Sequence, residues 1–333
     1  MTPDRGLPSH AGRPHLPVLQ AAAESLLATP VEVIEALTGG VRRDTYRVVD
    51  DMGARFVLRL DRDGASLEKE VVISHLVGER VPVPAVVGAD LAGELAGVPL
   101  TLSEYAAGES LEEALASAGD DDAAAIGDAV GRTLAAIGGF TFDAPGLLGP
   151  TLRPEPLEAP LPDLLVAFGE RVLGEPEVRE ALGGFIADGF LTLLRESASS
   201  LEPVATESSL VHSDFNGKNL VLARTLEGAP RVEAVLDWEF AFSGPALADV
   251  GNMLRRQERM PAVFVDGFSG GFHAGGGALP PGWRSIAAAL DAMALLDFLD
   301  RGGKGEHGPM YPEACTLIEE AVTRGQLAPP PPL

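Results

Sequence analysis

Two short apolar runs, Leu220-Val221-Leu222 and Val232 to Leu236, flank the turn-forming Glu227-Gly228-Ala229-Pro230. A hairpin of that length brings Asn219, just before the first strand, beside Asp237, just after the second. The segment leading into it, His212-Ser213-Asp214-Phe215-Asn216-Gly217-Lys218-Asn219, sets a carboxylate five residues ahead of that amide. Taken singly, Asp214 and Asn219 are ordinary turn residues, since Asp and Asn bond readily to their own backbone. Taken together with Asp237 they form a set, of which the hairpin puts two oxygen-bearing side chains, Asn219 and Asp237, at one end of a small sheet.

Phosphoryl transfer from ATP needs that set. A carboxylate orients the attacking hydroxyl and accepts its proton, and oxygen ligands hold Mg²⁺ against the phosphates. Mg²⁺ is commonly held by a few protein oxygens plus phosphate, so one Asn and one Asp suffice. Asp214 is read as the base, or as the group that orients the acceptor, with Asn219 and Asp237 as metal ligands. A zinc hydrolase is the rival enzyme class, with His212 and Asp214 as ligands. It lacks a His-Glu-x-x-His motif or a cysteine cluster, and the other histidines fall in no matching pattern.

The segments His212 to Asn219 and Leu236-Asp237-Trp238-Glu239 resemble the aminoglycoside phosphotransferase and choline kinase family of protein-kinase-like enzymes. That family's catalytic segment runs His-x-Asp-x-x-x-x-Asn and its metal segment Ile/Leu-Asp-Trp/Phe-Glu. Gly244-Pro245-Ala246-Leu247-Ala248-Asp249-Val250-Gly251 is similar to the family segment that follows. The resemblance runs from about Val31 to Leu299. It implies an α+β, two-lobed protein-kinase-like fold with an antiparallel-sheet N-lobe and a larger, mainly helical C-lobe. It also implies ATP and Mg²⁺ as cofactors and a hydroxylated small molecule as acceptor.

Local patterns give the same layout. Residues 1–30 read as an N-terminal extension with an amphipathic helix from Val18 to Leu27. Residues 31–103 read as the nucleotide-binding lobe, with strands at Val31 to Ala36, Asp44 to Val49, Phe56 to Leu60 and Val98 to Ser103. A helix opens near Ser66, and Ala85 to Val87 is a short edge strand after Pro82 and Pro84. Residues 104–109 form a hinge, and Ser110-Leu111-Glu112-Glu113 is a capping box opening the helical lobe, 110–325. Helices are expected at Asp120 to Ile137, Pro162 to Val172, Pro176 to Ser197, Ala246 to Arg255, Trp283 to Leu299 and Tyr311 to Val322. Gly138 to Pro162 and Gly267 to Pro281 read as loops, and 326–333 as a Pro-rich extended tail.

The nucleotide side follows from the scarcity of lysine. Only Lys69 lies between residues 31 and 103, and it falls in the helix. The cation that a kinase-like fold sends from its third strand to the phosphates is therefore assigned to Arg59, clamped by Glu70, with Glu68 as competitor. Gly39 and Gly40 form a turn whose backbone amides can approach phosphate, and Arg42 and Arg43 either touch phosphate or face water. The resemblance places adenine against backbone groups near Glu104 and Ala106.

Supporting roles go to His212, whose imidazole pins the loop, and to Asp249, which caps or tethers the next helix. Lys218 either neutralises the transferred phosphoryl group or lies exposed.

Composition narrows the partners. A net charge of -24 argues against nucleic acid, whose phosphates call for Lys and Arg. An acidic surface attracts a cationic acceptor such as an amino sugar, and equally serves solubility. No run reaches the ~20 apolar residues of a membrane helix. The first residues carry no leading apolar stretch, and Cys315 is the one cysteine, so a cytoplasmic protein is expected. The acceptor is an aminoglycoside or other amino sugar on one reading, and a choline-like or sugar metabolite on another. A nucleotide-binding pseudokinase is the non-enzyme alternative, and its usual mark, loss of the base or a metal ligand, is missing here. Glu239, Asp266 and Asp291 are the acidic residues considered for acceptor contacts, and oligomeric state is left open.

Overall fold

In the computed structural model, which describes residues 14–37, 44–61, 64–304, 308 and 310–329, the chain divides into two compact units. One holds the described residues up to Val71 together with Ala85–Tyr105; the other holds Val72–Pro84 and the described residues from Ala106 onward.

The first unit is built on an antiparallel sheet. Helix α1 (Leu16–Leu27) precedes β1 (Val31–Ala36), β2 (Asp44–Asp50) and β3 (Arg55–Leu60). After α2 (Gly64–Val77), β4 (Val86–Asp90) and β5 (Leu100–Glu104) complete the order β1-β2-β3-β5-β4. The period-two alternation of strands sorts the side chains. Tyr46, Val48, Leu58, Leu60, Leu100 and Leu102 turn to one face, where Leu19, Ala22 and Ala23 of α1 close the core. Each fully buried leucine there contributes about 1.5–3 kcal/mol. The helix read as an extension ahead of the sheet is thus part of the sheet's own core. Arg59, between Leu58 and Leu60, is carried to the opposite face, so its charge stays out of that core.

The second unit opens with β6 (Glu109–Ser110) and α3 (Leu111–Ser117). The capping box is formed in full: Ser110 Oγ accepts from the Glu113 N–H at 3.2 Å, and the Glu113 carboxylate accepts from the Ser110 N–H at 2.8 Å. There follow α4 (Asp120–Gly138), β7 (Gly146–Leu148), β8 (Pro154–Pro156) and α5 (Leu161–Leu173). The two short strands lie inside the segment read as a loop. Pro176 to Ser197, read as one helix, is two: α6 (Pro176–Leu182) and α7 (Gly184–Ser197), broken at Gly183 with φ +79.

Next come β9 (Ser209–Val211), β10 (Leu220–Arg224), β11 (Pro230–Val235), β12 (Phe242–Gly244) and α8 (Leu247–Leu254). The chain ends in α9 (Ala262–Ala274), α10 (Trp283–Gly303) and α11 (Met310–Arg324). β11-β10-β6 and β8-β7-β12-β9 form two small sheets, and β10 and β11 are the expected hairpin.

Helix α9 corrects the loop reading of Gly267 to Pro281. Its Gly267 and Gly271 lie against α4 at separations no side chain permits. A Cβ on Gly271 would sit 2.3 Å from the Asp128 carbonyl oxygen, and one on Gly131 would sit 2.1 Å from that of Phe268. Gly127 and Gly131 on α4, and Gly267 and Gly271 on α9, repeat at four-residue spacing and so share one face of each helix. Glycine here buys close backbone approach rather than a turn. Among the described residues, no helix is long and apolar enough to cross a membrane.

Candidate active site

The hairpin does what its spacing required. Leu220 pairs with Val235, and the Leu236 N–H donates to the Asn219 carbonyl at 2.9 Å, so Asn219 and Asp237 leave the same sheet end. Asp237 takes a left-handed backbone, φ +61, as the chain turns off the strand. Just beyond it, Trp238 is buried and donates from its indole to the Val235 carbonyl at 3.1 Å.

The loop between β9 and β10 is held by several groups. The fully buried Asp249 carboxylate accepts from the His212 N–H at 2.7 Å and the Ser213 N–H at 2.8 Å. Asp249 lies in the first turn of α8, with Ala246 at the cap position, so it is a tether of the loop and not a helix cap. Burial pushes Asp249 up to about 7, against the lowering effect of the two N–H bonds.

His212, also fully buried, uses both ring nitrogens. Nδ1 accepts from the Asp214 N–H at 3.2 Å, which places the proton on Nε2, and Nε2 donates to the Leu236 carbonyl at 2.8 Å. The imidazole thus ties the Asp214 loop to the strand end that carries Asp237. Burial lowers His212 to about 4, outweighing the bond to Leu236, so the ring is neutral. With both nitrogens occupied by backbone, His212 offers nothing to zinc.

The Asp214 carboxylate is oriented at both oxygens. Oδ1 accepts from the Asn216 amide at 2.7 Å, and Oδ2 from the Asn219 amide at 2.7 Å. The same Asn219 nitrogen also reaches the Asp214 carbonyl at 2.9 Å, so the amide oxygen is the atom left to bind a cation. Burial raises the Asp214 pKa, offset in part by the Asn219 bond. Asn216 was missed in reading the sequence. Its oxygen accepts from the Lys218 N–H at 3.0 Å in an Asx turn, and the Asn-Gly dipeptide is the local signal for such a turn. Lys218 is exposed.

In the sheet unit, Arg59 Nη1 donates to Glu70 Oε2 at 3.3 Å, and both side chains are largely buried. Glu68 is exposed. Glu104 ends β5, its N–H donating to the Ala85 carbonyl at 2.9 Å, and Ala106 is half-buried. Gly39, Gly40, Arg42 and Arg43 lie outside the described residues. Of the acidic residues considered for an acceptor, Asp291 is taken up by Arg255, Asp266 is exposed and Glu239 is half-buried.

Among the described residues, no group of three or more His, Cys, Asp or Glu is arranged to hold a metal by itself. The Asn219 amide oxygen and the Asp237 carboxylate belong to residues that leave the same sheet end. Both are hard oxygen donors, and they fit an ion that completes its shell with phosphate and water.

Comparisons with known proteins bear on the fold and the family. Similar solved structures include a thermostable mutant of the aminoglycoside phosphotransferase APH(4)-Ia in a ternary complex with ADP and hygromycin B. It shares 18% identity and a TM-score of 0.66, over 92% of this chain and 98% of that one. The GDP and kanamycin complex of APH(2'')-IIIa gives 16% identity and a TM-score of 0.69, over 93% and 99%. A candidate fructosamine-3-kinase from Thermobifida fusca gives 18% identity and a TM-score of 0.59, over 92% and 98%. No curated protein matches the chain. These likenesses establish the protein-kinase-like fold. The model of the phosphotransferase enzyme family matches residues 33–289, most of the chain and the whole stretch from His212 to Gly251, and on that match the chain belongs to this family.

Proposed function

We propose that the protein transfers the γ-phosphate of ATP to a hydroxyl of a small molecule, with Asp214 orienting that hydroxyl and accepting its proton. The observation that carries this reading is the state of the Asp214 carboxylate. Asn216 and Asn219 hold its two oxygens, and the loop bearing it is tied through His212 to the strand end of Asp237. A fixed, partly desolvated carboxylate is what orientation of a weak nucleophile requires.

Asn219, through its amide oxygen, and Asp237 would hold Mg²⁺. When bound, the ion screens the phosphate oxygens and the charge that builds on them. Arg59, steadied by Glu70, would contact phosphate, and the backbone at Glu104 and Ala106 would read the base. Gly39 and Gly40 are assigned to the phosphates on the resemblance alone. Tight His212 and Asp249 bonds keep the loop from drifting, and a misplacement near 1 Å costs on the order of 10²-fold in rate.

The acceptor class we favour is a cationic, hydroxylated molecule such as an aminoglycoside. Support comes from the -24 net charge and from the hygromycin B and kanamycin complexes of similar folds. A sugar-amine kinase is the second reading, favoured by the likeness to the candidate fructosamine-3-kinase.

The test is acceptor-stimulated ADP release from ATP with Mg²⁺, across hygromycin B, kanamycin, a fructosamine and choline. Asp214→Ala is the control. Stimulation by one acceptor, lost by about 10²–10⁴-fold in the variant, supports the assignment. Tight Mg-ATP binding with no turnover on any acceptor would favour a binding protein, and absence of both would sink the reading.

A further inference from the structure

Helix α8 carries a second polar residue toward the loop. Asn252 lies three residues after Asp249, hence on the same face of the helix. With its amide nitrogen toward the Phe215 carbonyl and its oxygen toward Arg255, each atom meets its complement. It then donates to Phe215 at 2.9 Å and accepts from Arg255 Nη2 at 3.1 Å. Phe215 is the residue after Asp214, and its ring is fully buried. Asp249 therefore holds the N–H groups of the two residues before Asp214, and Asn252 holds the carbonyl of the residue after it.

Asn252 is itself held. Arg255 Nε donates to Asp291 Oδ2 at 2.9 Å, and Nη2 donates to Oδ1 at 2.7 Å, a bidentate pair between side chains 11% and 9% exposed. The ring of Phe298 lies 5.5 Å from the guanidinium carbon. Neither member of such a pair moves alone, because that would strand a buried charge. The guanidinium charge also favours the anionic form of Asp214.

We propose that Asn252, locked by the Arg255–Asp291 pair, is a positioning residue that sets the Phe215 peptide and thereby aims the Asp214 carboxylate at the acceptor. The proposal rests on the phosphotransferase reading above for its kinetic consequence, but not for its structural one.

Two variants test it. Asn252→Leu keeps the branched shape, leaves both members of the ion pair in place and removes the bond to Phe215. Arg255→Lys keeps a charge for Asp291 and removes the second donor that orients Asn252. Steady-state ADP release from Mg-ATP is measured with kanamycin and with water as acceptors. In Asn252→Leu, kcat should fall about 10²-fold while KM for ATP stays within about twofold, since a misaimed carboxylate affects the reacting geometry and not nucleotide binding. The double variant should be no worse than Asn252→Leu alone, because both act through one chain of bonds.

A folded Asn252→Leu protein with kcat within about threefold of the parent, or losses that multiply in the double variant, overturns the proposal. If Asn252→Leu does not fold, Arg255→Lys answers the kcat-against-KM question. Should the parent show no turnover, hydrogen exchange of the nucleotide-free protein still decides. Both variants should speed exchange in a peptide covering 212–219, and unchanged exchange there refutes the positioning role whatever the reaction is.

Discussion

Gly270 and Gly271 are adjacent in α9 and should respond oppositely to the same substitution. A Cβ on Gly270 meets nothing within 4 Å, and the position is exposed. Alanine there lowers the conformational entropy of the unfolded chain and should stabilise the protein by about 0.5–1 kcal/mol. A Cβ on Gly271 would meet the Asp128 carbonyl oxygen at 2.3 Å and its Cα at 2.7 Å. Both are backbone atoms of α4 and cannot rotate away, so the helices must separate by nearly 1 Å. Overpacking of that kind costs about 1–3 kcal/mol or more, against the same propensity gain of about 1 kcal/mol. Gly271→Ala should therefore come out as much as about 2 kcal/mol less stable, a contrast of up to about 3 kcal/mol between neighbouring sites. Urea unfolding at constant m-value measures both. Equal stabilisation by the two alanines would refute the close approach of α4 and α9 and restore the loop reading of Gly267 to Pro281.

Three further outcomes follow from the loop. His212 is lowered from 6.5 to about 4 on folding, so the unfolded chain binds a proton that the folded one refuses. Its contribution to stability is present above 6.5 and is lost as pH falls, by about 2 kcal/mol between pH 7 and pH 5. His212→Gln should flatten that part of the pH profile, and an unchanged slope would show that the ring is not buried neutral. Asp249→Asn leaves one oxygen to serve two N–H groups in a fully buried place, and should cost about 1–3 kcal/mol in urea unfolding while lowering kcat. Ser213 has φ +73, a left-handed backbone that costs a side chain about 1–2 kcal/mol. Ser213→Gly should therefore raise stability by about 1 kcal/mol with kcat intact, because the bond to Asp249 is made by the backbone.

The chemistry of this site is written locally and its aim is written at a distance. The placing of Asn219 and Asp237 at one sheet end was legible because a hairpin of known length joins them, and the register of β10 and β11 follows from short-range apolar alternation. The pairing of Arg59 with Glu70 was legible for a related reason, since a charged residue inside a strand needs a partner and the next helix supplies one. The glycines of α9 misled because glycine has two uses, and only the partner helix distinguishes a turn from a close approach. Their four-residue spacing, matched by Gly127 and Gly131, was the available signal.

Asn252, Arg255 and Asp291 gave no comparable signal. Arg255 and Asp291 are 36 residues apart, and Asn252 in an amphipathic helix looks like any polar helical position. Asp291 even invited assignment to the acceptor, a role its bond to Arg255 now makes costly, because a carboxylate already paired in a buried site has little charge left to offer a ligand. The consequence is a division of labour with a measurable sign. On the proposed function, substitutions at Asp214, Asn219 or Asp237 should remove turnover while sparing the fold, because these groups would act on substrate and metal. Substitutions along α8 at Asp249 and Asn252 should lower stability and kcat together, because the bonds that aim Asp214 are the same bonds that pack its loop.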